Sequence, residues 1–192
     1  MSVSRLKPAE WSDEVAHVQN AAGNPLFKQV ELDWSKPTLW TSDMRLPKFD
    51  CSDPFLYALV RNHENSKSKD HIVYIGLTTA PASRFGNHPT AKGIVARKGQ
   101  VRFSYAPINF VSGKNKIERL SYALEQLEHL IIWAVDEHLE NEKKMFTLPG
   151  MGTNGGEAWH ITNTGYRFSG RMPREIVYPW MLVKNGRKSY ER

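Results

Sequence analysis

Residues 55–88, FLYALVRNHENSKSKDHIVYIGLTTAPASRFGNH, contain two predicted strands and a predicted helix in close succession. Residues 55–61 and 71–79 are rich in aromatic and β-branched side chains, which favour strands. The polar segment 62–70 between them predicts the long loop of an antiparallel hairpin. Pro81 suits the first turn of a helix, which is predicted to run to about residue 88.

Two longer elements are predicted after this stretch. Residues 100–111 predict a third strand, and Pro107 is expected to interrupt it at a sheet edge or a bulge. Residues 116–143 predict a long helix, because Asn115 and Glu118 fit a capping box and apolar residues recur at helical spacing. The expected buried stripe comprises Leu120, Ala123, Leu124, Leu127, Leu130, Ile131, Ala134 and Val135.

Both ends of the chain look less regular. Residues 1–50 predict an N-terminal arm with a short helix at 9–20, and Trp34, Trp40 and Phe49 are its apolar anchors. Glycines within residues 148–156 predict a turn.

The order of elements predicts one α+β domain over residues 1–192. Its core, residues 51–156, is expected to be a small three-stranded sheet, antiparallel or mixed, flanked by helices. Residues 157–192 predict a C-terminal extension of short strands with a basic, DNA-contacting end.

Composition narrows the class of protein. The chain has 192 residues, a net charge of +6 and one cysteine, Cys51. A single cysteine excludes an intrachain disulfide and a cysteine-rich zinc site. The longest apolar run, residues 130–135, is far shorter than the ~20 residues of a membrane span. We therefore expect a soluble cytoplasmic protein with no membrane contact, and its positive charge suits a polyanionic partner such as nucleic acid.

Several polar residues in and after the hairpin suit phosphodiester hydrolysis. That reaction needs an activated water, a cation near the phosphoryl oxygens and usually a divalent metal. Tyr57 and Tyr74 lie in the first two predicted strands, and Arg84 follows Tyr74 by ten residues. His88 lies four residues further, one helical turn, and Glu128 falls on the long helix.

This arrangement resembles the GIY-YIG nuclease superfamily over about residues 55–154, roughly half of the chain. Residues 74–76, Tyr-Ile-Gly, match the second signature tripeptide, and Arg84 and His88 match the family's arginine and its His or Tyr. Glu128, in EHLII, is similar to the glutamate on the family's helix. The chain departs from the family in three respects: residues 55–57 are Phe-Leu-Tyr, the segment between the two tyrosines is longer, and Leu77 replaces a lysine that some members have.

The resemblance implies a nuclease that uses one Mg²⁺ per active site. Glu128 would be the protein's metal ligand, since Mg²⁺ keeps much of its hydration shell. Arg84 would hold the scissile phosphate. Tyr57 would be the base or the orienter of the attacking water, and Tyr74 would hydrogen-bond in the same cluster. The proton route stays open, because His88 could take the proton from Tyr57 or from water directly.

The resemblance also implies an asparagine beyond the glutamate. Asn141 fits the family's usual interval, whereas Asn154 fits the context after a proline and a helix end. Asn154 is favoured.

Each residue taken alone also has a purely structural explanation. Tyr57 and Tyr74 could be core aromatics, and Arg84 and His88 could be surface residues. Glu128 lies at the border of the apolar stripe, about 80° from Leu120 around the helix. Glu125, which lies further round on the polar side of the helix, is the alternative candidate for the glutamate of the site. The joint order and spacing of all five candidates favours the nuclease interpretation.

Basic residues near the predicted site are candidate contacts to DNA phosphates. They are Lys92, Arg97, Lys98, Arg102, Lys114 and Lys116. We predict a site-specific endonuclease of restriction type that cuts double-stranded DNA as a homodimer or by two sequential nicks. One alternative is a phage or repair nuclease of relaxed specificity. The other is a non-catalytic nucleic-acid-binding protein on the same scaffold.

Overall fold

The computed structural model describes residues 11–63, 69–110, 117–135, 138–142, 144, 147–149 and 157–185. In these residues the protein is an α+β fold whose mixed, eight-stranded sheet curls into a half-barrel. The strands are β1 (Lys28–Trp34), β2 (Thr38–Leu39), β3 (Phe55–Asn62), β4 (His71–Thr78), β5 (Gln100–Phe110), β6 (Trp159–Gly165), β7 (Glu175–Tyr178) and β8 (Leu182–Lys184). The helices are α1 (Trp11–His17), α2 (Pro81–Arg84), α3 (Pro89–Val95) and α4 (Ile117–Ala134).

The sheet is much larger than the sequence predicts. Its order is β4-β3-β5-β1-β6-β7-β8, and β2 also pairs with β5. The α+β class is confirmed. The prediction of a small three-stranded core is wrong, because β1 pairs with β5 on one side and with β6 on the other and so joins the C-terminal strands to the same sheet. Lys28–Trp34, from the predicted N-terminal arm, pairs antiparallel with β5 and parallel with β6. Its alternate residues Val30, Leu32 and Trp34 are buried.

The hairpin of β3 and β4 is antiparallel, as the sequence predicts. Leu56, Ala58 and Val60 of β3 pack in the same apolar cluster as α4. The alternating residues Phe55, Tyr57 and Leu59 pack on the other face, in the cluster that contains α3 and Trp40. Because both faces are covered, β3 is an unbroken run of buried apolar residues rather than an alternating one.

The predicted helix at residues 81–88 is interrupted. α2 ends at Arg84, a 3-10 turn spans Phe85–Asn87, and α3 begins at Pro89. His88 is therefore the N-cap of a second helix that the sequence analysis does not anticipate. Extended backbone at His88 is what a following proline favours, which explains the break.

The third predicted strand is longer and more central than expected. β5 continues without interruption through Pro107, which is in register with Phe55 of β3. The prediction that Pro107 interrupts this strand at a sheet edge or a bulge is wrong. On the other side of β5, pairing with β2 ends at Phe103 and pairing with β1 begins at Ile108. Proline is tolerated where the strand changes partners.

α4 ends at Ala134, well before the predicted end at residue 143. Residues 138–142 lie along β4 instead, where the Glu140 N–H donates to the Val73 carbonyl at 2.7 Å. The side chain of Asn141 accepts from the Ile75 N–H at 3.1 Å and donates to the Ile75 carbonyl at 2.7 Å. The unpaired backbone of an outer strand thus competes with continuation of the helix.

Other predictions are confirmed where the structure describes them. The short N-terminal helix, the buried Trp34 and Trp40, and the short C-terminal strands are all present. The stripe of α4 is buried at Ala123, Leu124, Leu127, Leu130, Ile131 and Ala134, as is Val135 just beyond it. Predictions for residues 64–68, 115, 150–156 and 186–192, and for the side chains of Glu118 and Leu120, lie outside the described residues. In the described part of the chain, no helix is both long and apolar enough to cross a bilayer.

Gly76 lies against the ring of Tyr57, its partner across β3 and β4. A Cβ atom built on Gly76 would overlap that ring, and Tyr57 is fully buried. We expect Gly76→Ala to lower the free energy of unfolding by roughly 1–3 kcal/mol, the usual cost of overpacking. Urea unfolding measures the change.

Gly93, in α3, is the matched control, since nothing lies within 4 Å of its Cβ position. Gly93→Ala should stabilise the protein by roughly 0.5–1 kcal/mol, because alanine loses less backbone entropy in a helix. Equal effects at the two glycines would contradict the packing explanation.

Candidate active site

Tyr57 and His88 form the buried centre of the candidate site. Tyr57 lies in the middle of β3, and His88 is held at the start of α3 by Pro89. The Tyr57 hydroxyl is 2.6 Å from His88 Nε2. The ring of Phe85 packs edge-on against Tyr57 at 5.0 Å between centroids and stacks on His88 at 6.5 Å. The two groups are therefore fixed by packing as well as by their hydrogen bond.

The second nitrogen of His88 determines the direction of that hydrogen bond. His88 Nδ1 accepts from the Ala91 N–H at 3.3 Å, which caps α3. Because an N–H group can only donate, Nδ1 carries no proton, and the neutral imidazole has its proton on Nε2. His88 therefore donates to the Tyr57 oxygen. In this tautomer Nε2 has no lone pair with which to take the proton of Tyr57.

Burial keeps these groups in their neutral forms. It raises the pKa of Tyr57, and the neighbouring Tyr74 and Glu128 act in the same direction against the positive charge of Arg84. Burial, followed by the charge of Arg84, lowers the pKa of His88 to about 4, against a contact with its own backbone. Burial and then Glu128 raise the pKa of Tyr74. The resting site therefore contains two protonated phenols and a neutral imidazole.

Tyr74, Arg84 and Glu128 complete the cluster. The rings of Tyr57 and Tyr74 are 6.1 Å apart at an interplanar angle of 26°, and the Tyr74 ring is 5.7 Å from that of His88. Arg84, the exposed last residue of α2, acts electrostatically on both tyrosines and on His88. The charge of Glu128, on α4, reaches both tyrosines as well.

Glu128 is only 13% exposed, and its Oε2 atom is 2.5 Å from Nζ of Lys144. The competing residue Glu125 is exposed. No sequence pattern identifies Lys144, which follows Glu128 by sixteen residues and lies outside the helix.

The asparagine alternatives have different outcomes. Asn141 uses its side-chain amide on the backbone of Ile75, between Tyr74 and Gly76, and so supports β4. Asn154 lies outside the described residues.

The predicted DNA-contacting residues are in different situations. Lys92 is exposed, and its Nζ donates to the Gly86 carbonyl at 2.7 Å, between Arg84 and His88. Arg97 pairs with Glu140 at 2.7 Å, while Lys98 is exposed. Arg102 lines a separate cavity with Asp70 and Tyr166. Lys114 and Lys116 lie outside the described residues.

The donor set restricts which metal could bind. Among the described residues, no three His, Cys, Asp or Glu side chains are grouped to hold a metal ion. That excludes a zinc-type ligand set there. The charge of Glu128 acts on both tyrosines, and that of Glu142 acts on Tyr74. One carboxylate fits Mg²⁺, which retains several waters. In the structure the ammonium group of Lys144 neutralises this carboxylate.

Comparison with known proteins gives no match: no family model, no curated protein and no solved structure corresponds to this chain.

The low pKa of His88 makes stability depend on pH. The folded value is about 4, and an unfolded histidine titrates near ~6.5. As the pH falls through this interval the unfolded chain binds the proton first, so stability that is complete above about pH 6.5 is lost towards about pH 4. We expect a steeper loss of unfolding free energy in the wild type than in His88→Asn, which keeps a capping side chain. Urea unfolding across this pH range measures both.

Nitrogen-15 NMR of the histidines tests the tautomer directly. We expect His88 at about pH 6 to be neutral with its proton on Nε2. A proton on Nδ1 would contradict the assigned hydrogen-bond directions, and titration near the ordinary histidine value would contradict the lowered pKa.

Asn141 should matter for stability. Asn141→Ala removes both side-chain bonds to Ile75 and leaves partly buried backbone groups without them, so we expect a loss of roughly 1–3 kcal/mol in urea unfolding. Asn24, an exposed residue in the turn after α1, is the control. Asn24→Ala should change stability by less than about 0.5 kcal/mol. A similar small effect at Asn141 would show that these bonds contribute little.

Proposed function

We propose that this chain is a Mg²⁺-dependent endonuclease with a GIY-YIG-like core that hydrolyses phosphodiester bonds of double-stranded DNA. The convergence of five residues supports this proposal: Tyr57, Tyr74, Arg84, His88 and Glu128. They come from β3, β4, α2, the cap of α3 and α4, and are the residues that the resemblance to the GIY-YIG superfamily implies. Their electrostatic coupling and the 2.6 Å contact of Tyr57 with His88 are what a shared catalytic cluster requires.

Arg84 is the group that binds the scissile phosphate. It is exposed, so its guanidinium can reach a strand of DNA, and its fork of donors suits phosphate oxygens. Since Arg84 also acts on Tyr57, a phosphate bound there lies beside the phenol. Lys92, fixed on the turn between Arg84 and His88, is placed to contact a neighbouring phosphate.

Tyr57 positions the attacking water. Its oxygen accepts hydrogen bonds from His88 Nε2 and from Arg84, so its own O–H group is the part that can contact the water. The raised pKa makes the phenol an orienting group in the resting site. To take the proton of the water, Tyr57 must first lose its own phenolic proton to solvent. The His88 N–H and the Arg84 guanidinium are the two donors that would stabilise the resulting phenolate. His88 acts as a donor in this scheme, and Tyr74 stacks beside the pair.

Glu128 is the metal ligand. Mg²⁺ bound there supplies positive charge for the phosphoryl and leaving oxygens. The carboxylate is only 13% exposed and its charge acts on both phenols.

We also propose that the enzyme is of restriction type and cuts both strands as a homodimer or in two nicks. The net charge of +6 and the exposed Lys98 support DNA as the substrate.

Incubation with supercoiled plasmid tests the function. In Mg²⁺ the wild type should give discrete fragments, and EDTA should abolish them. Tyr57→Phe and Glu128→Ala should each lower the cleavage rate about 100-fold or more, and Arg84→Ala by roughly 100- to 1,000-fold.

Two conservative controls match these variants. Tyr105→Phe makes the same substitution on β5, directly opposite Tyr57, and should retain activity. Glu125→Ala removes an exposed carboxylate one turn before Glu128 and should also remain active.

The pattern of products separates the alternatives. A smear instead of bands would favour a relaxed phage or repair nuclease. DNA binding in Ca²⁺ without cleavage of any plasmid would favour the non-catalytic alternative. Mg²⁺-dependent cleavage that survives all three site substitutions would show that the assigned site is wrong.

A further inference from the structure

Lys144 contacts the proposed metal ligand, and its role deepens the proposed function on which it rests. Its Nζ lies 2.5 Å from Oε2 of Glu128 and 3.5 Å from the Glu125 carbonyl. The side chain of Lys144 is 30% exposed and that of Glu128 is 13% exposed. The pair is therefore partly shielded but remains accessible to an ion from solvent.

The backbone at Lys144 is also unusual. Its φ angle is 70°, in the left-handed region that favours glycine. This backbone conformation is unfavourable for any residue that carries a Cβ atom. Asn141, three residues earlier, is fixed to β4 by its bonds to Ile75. The ammonium is thus presented to Glu128 from an anchored segment.

We propose that Lys144 is a built-in competitor for the divalent cation at Glu128. Its ammonium neutralises the carboxylate in the metal-free protein, where an unpaired, partly buried charge would be costly. A metal ion must break this ion pair before it can use Oε2. Lys144 therefore sets the concentration of cation at which the site is filled.

A purely structural role makes a different prediction. If Lys144 only ties residue 144 to α4, its removal lowers stability and leaves metal affinity unchanged. Metal binding measured separately from unfolding distinguishes the two roles.

The experiment uses Mn²⁺ as the probe, with the full chain and without DNA, and electron paramagnetic resonance to count free ion. We expect Lys144→Met to lower the Kd for Mn²⁺ by roughly two- to fivefold, the factor for loss of a partly exposed ion pair. Lys144→Arg keeps the cation and should bind Mn²⁺ as weakly as the wild type does. Lys144→Gly relaxes the left-handed backbone and should tighten binding as Lys144→Met does.

Two further variants complete the comparison. Lys98→Met removes the same charge from an exposed side chain and should change the Kd much less than Lys144→Met does. Glu128→Ala should abolish the site, and urea unfolding confirms that each variant is folded.

The outcomes separate this inference from the function on which it rests. Binding that is lost in Glu128→Ala but unchanged in Lys144→Met and Lys144→Gly overturns the role of Lys144 and leaves the proposed metal ligand intact. Binding that persists unchanged in Glu128→Ala overturns the metal assignment, and the competition proposed here falls with it.

Discussion

The register between β3 and β4 is the constraint on which the candidate site depends. It places Tyr57 opposite Gly76, the one residue type that leaves room for the phenol ring. A shift of one residue would turn Tyr57 from the face of α3 to the face of α4 and separate it from His88. Both faces of β3 are covered by apolar side chains, so such a shift would also exchange every packed residue of the strand.

The side chain of His88 has both a structural role and a role in the candidate site. One ring nitrogen caps α3 and the other holds the Tyr57 hydroxyl. The start of a seven-residue helix thereby fixes the tautomer, and with it which partner donates. The carboxylate of Glu128 also has two roles. It forms the ion pair that joins Lys144 to α4, and it is the group proposed to bind the metal.

Much of this part of the fold could be predicted from local pattern. The two strands and the stripe of α4 are visible because their periodicity lies within short windows. The five candidate site residues lie much further apart along the chain and are found through the resemblance to a family motif. The sequence does not predict β1, because prolines on either side of it favour an irregular arm, although Val30, Leu32 and Trp34 alternate as in a half-buried strand. The early end of α4 depends on the exposed edge of β4, and the position of Lys144 depends on the folded chain, so neither has a local signal.

The parallel pairing of β1 with β6 joins residues 28–34 to residues 159–165. During synthesis β1 leaves the ribosome long before β6 has been made. The apolar side chains of β1, which are Val30, Leu32 and Trp34, are therefore not fully packed until the last fifth of the chain has been synthesised. The β3–β4 hairpin and α3 have no such delay, because their contacts close over short loops. Long-range closure of this kind slows folding and exposes apolar surface on the nascent chain. The half-barrel is therefore completed last, around a site whose central residues are already in the chain.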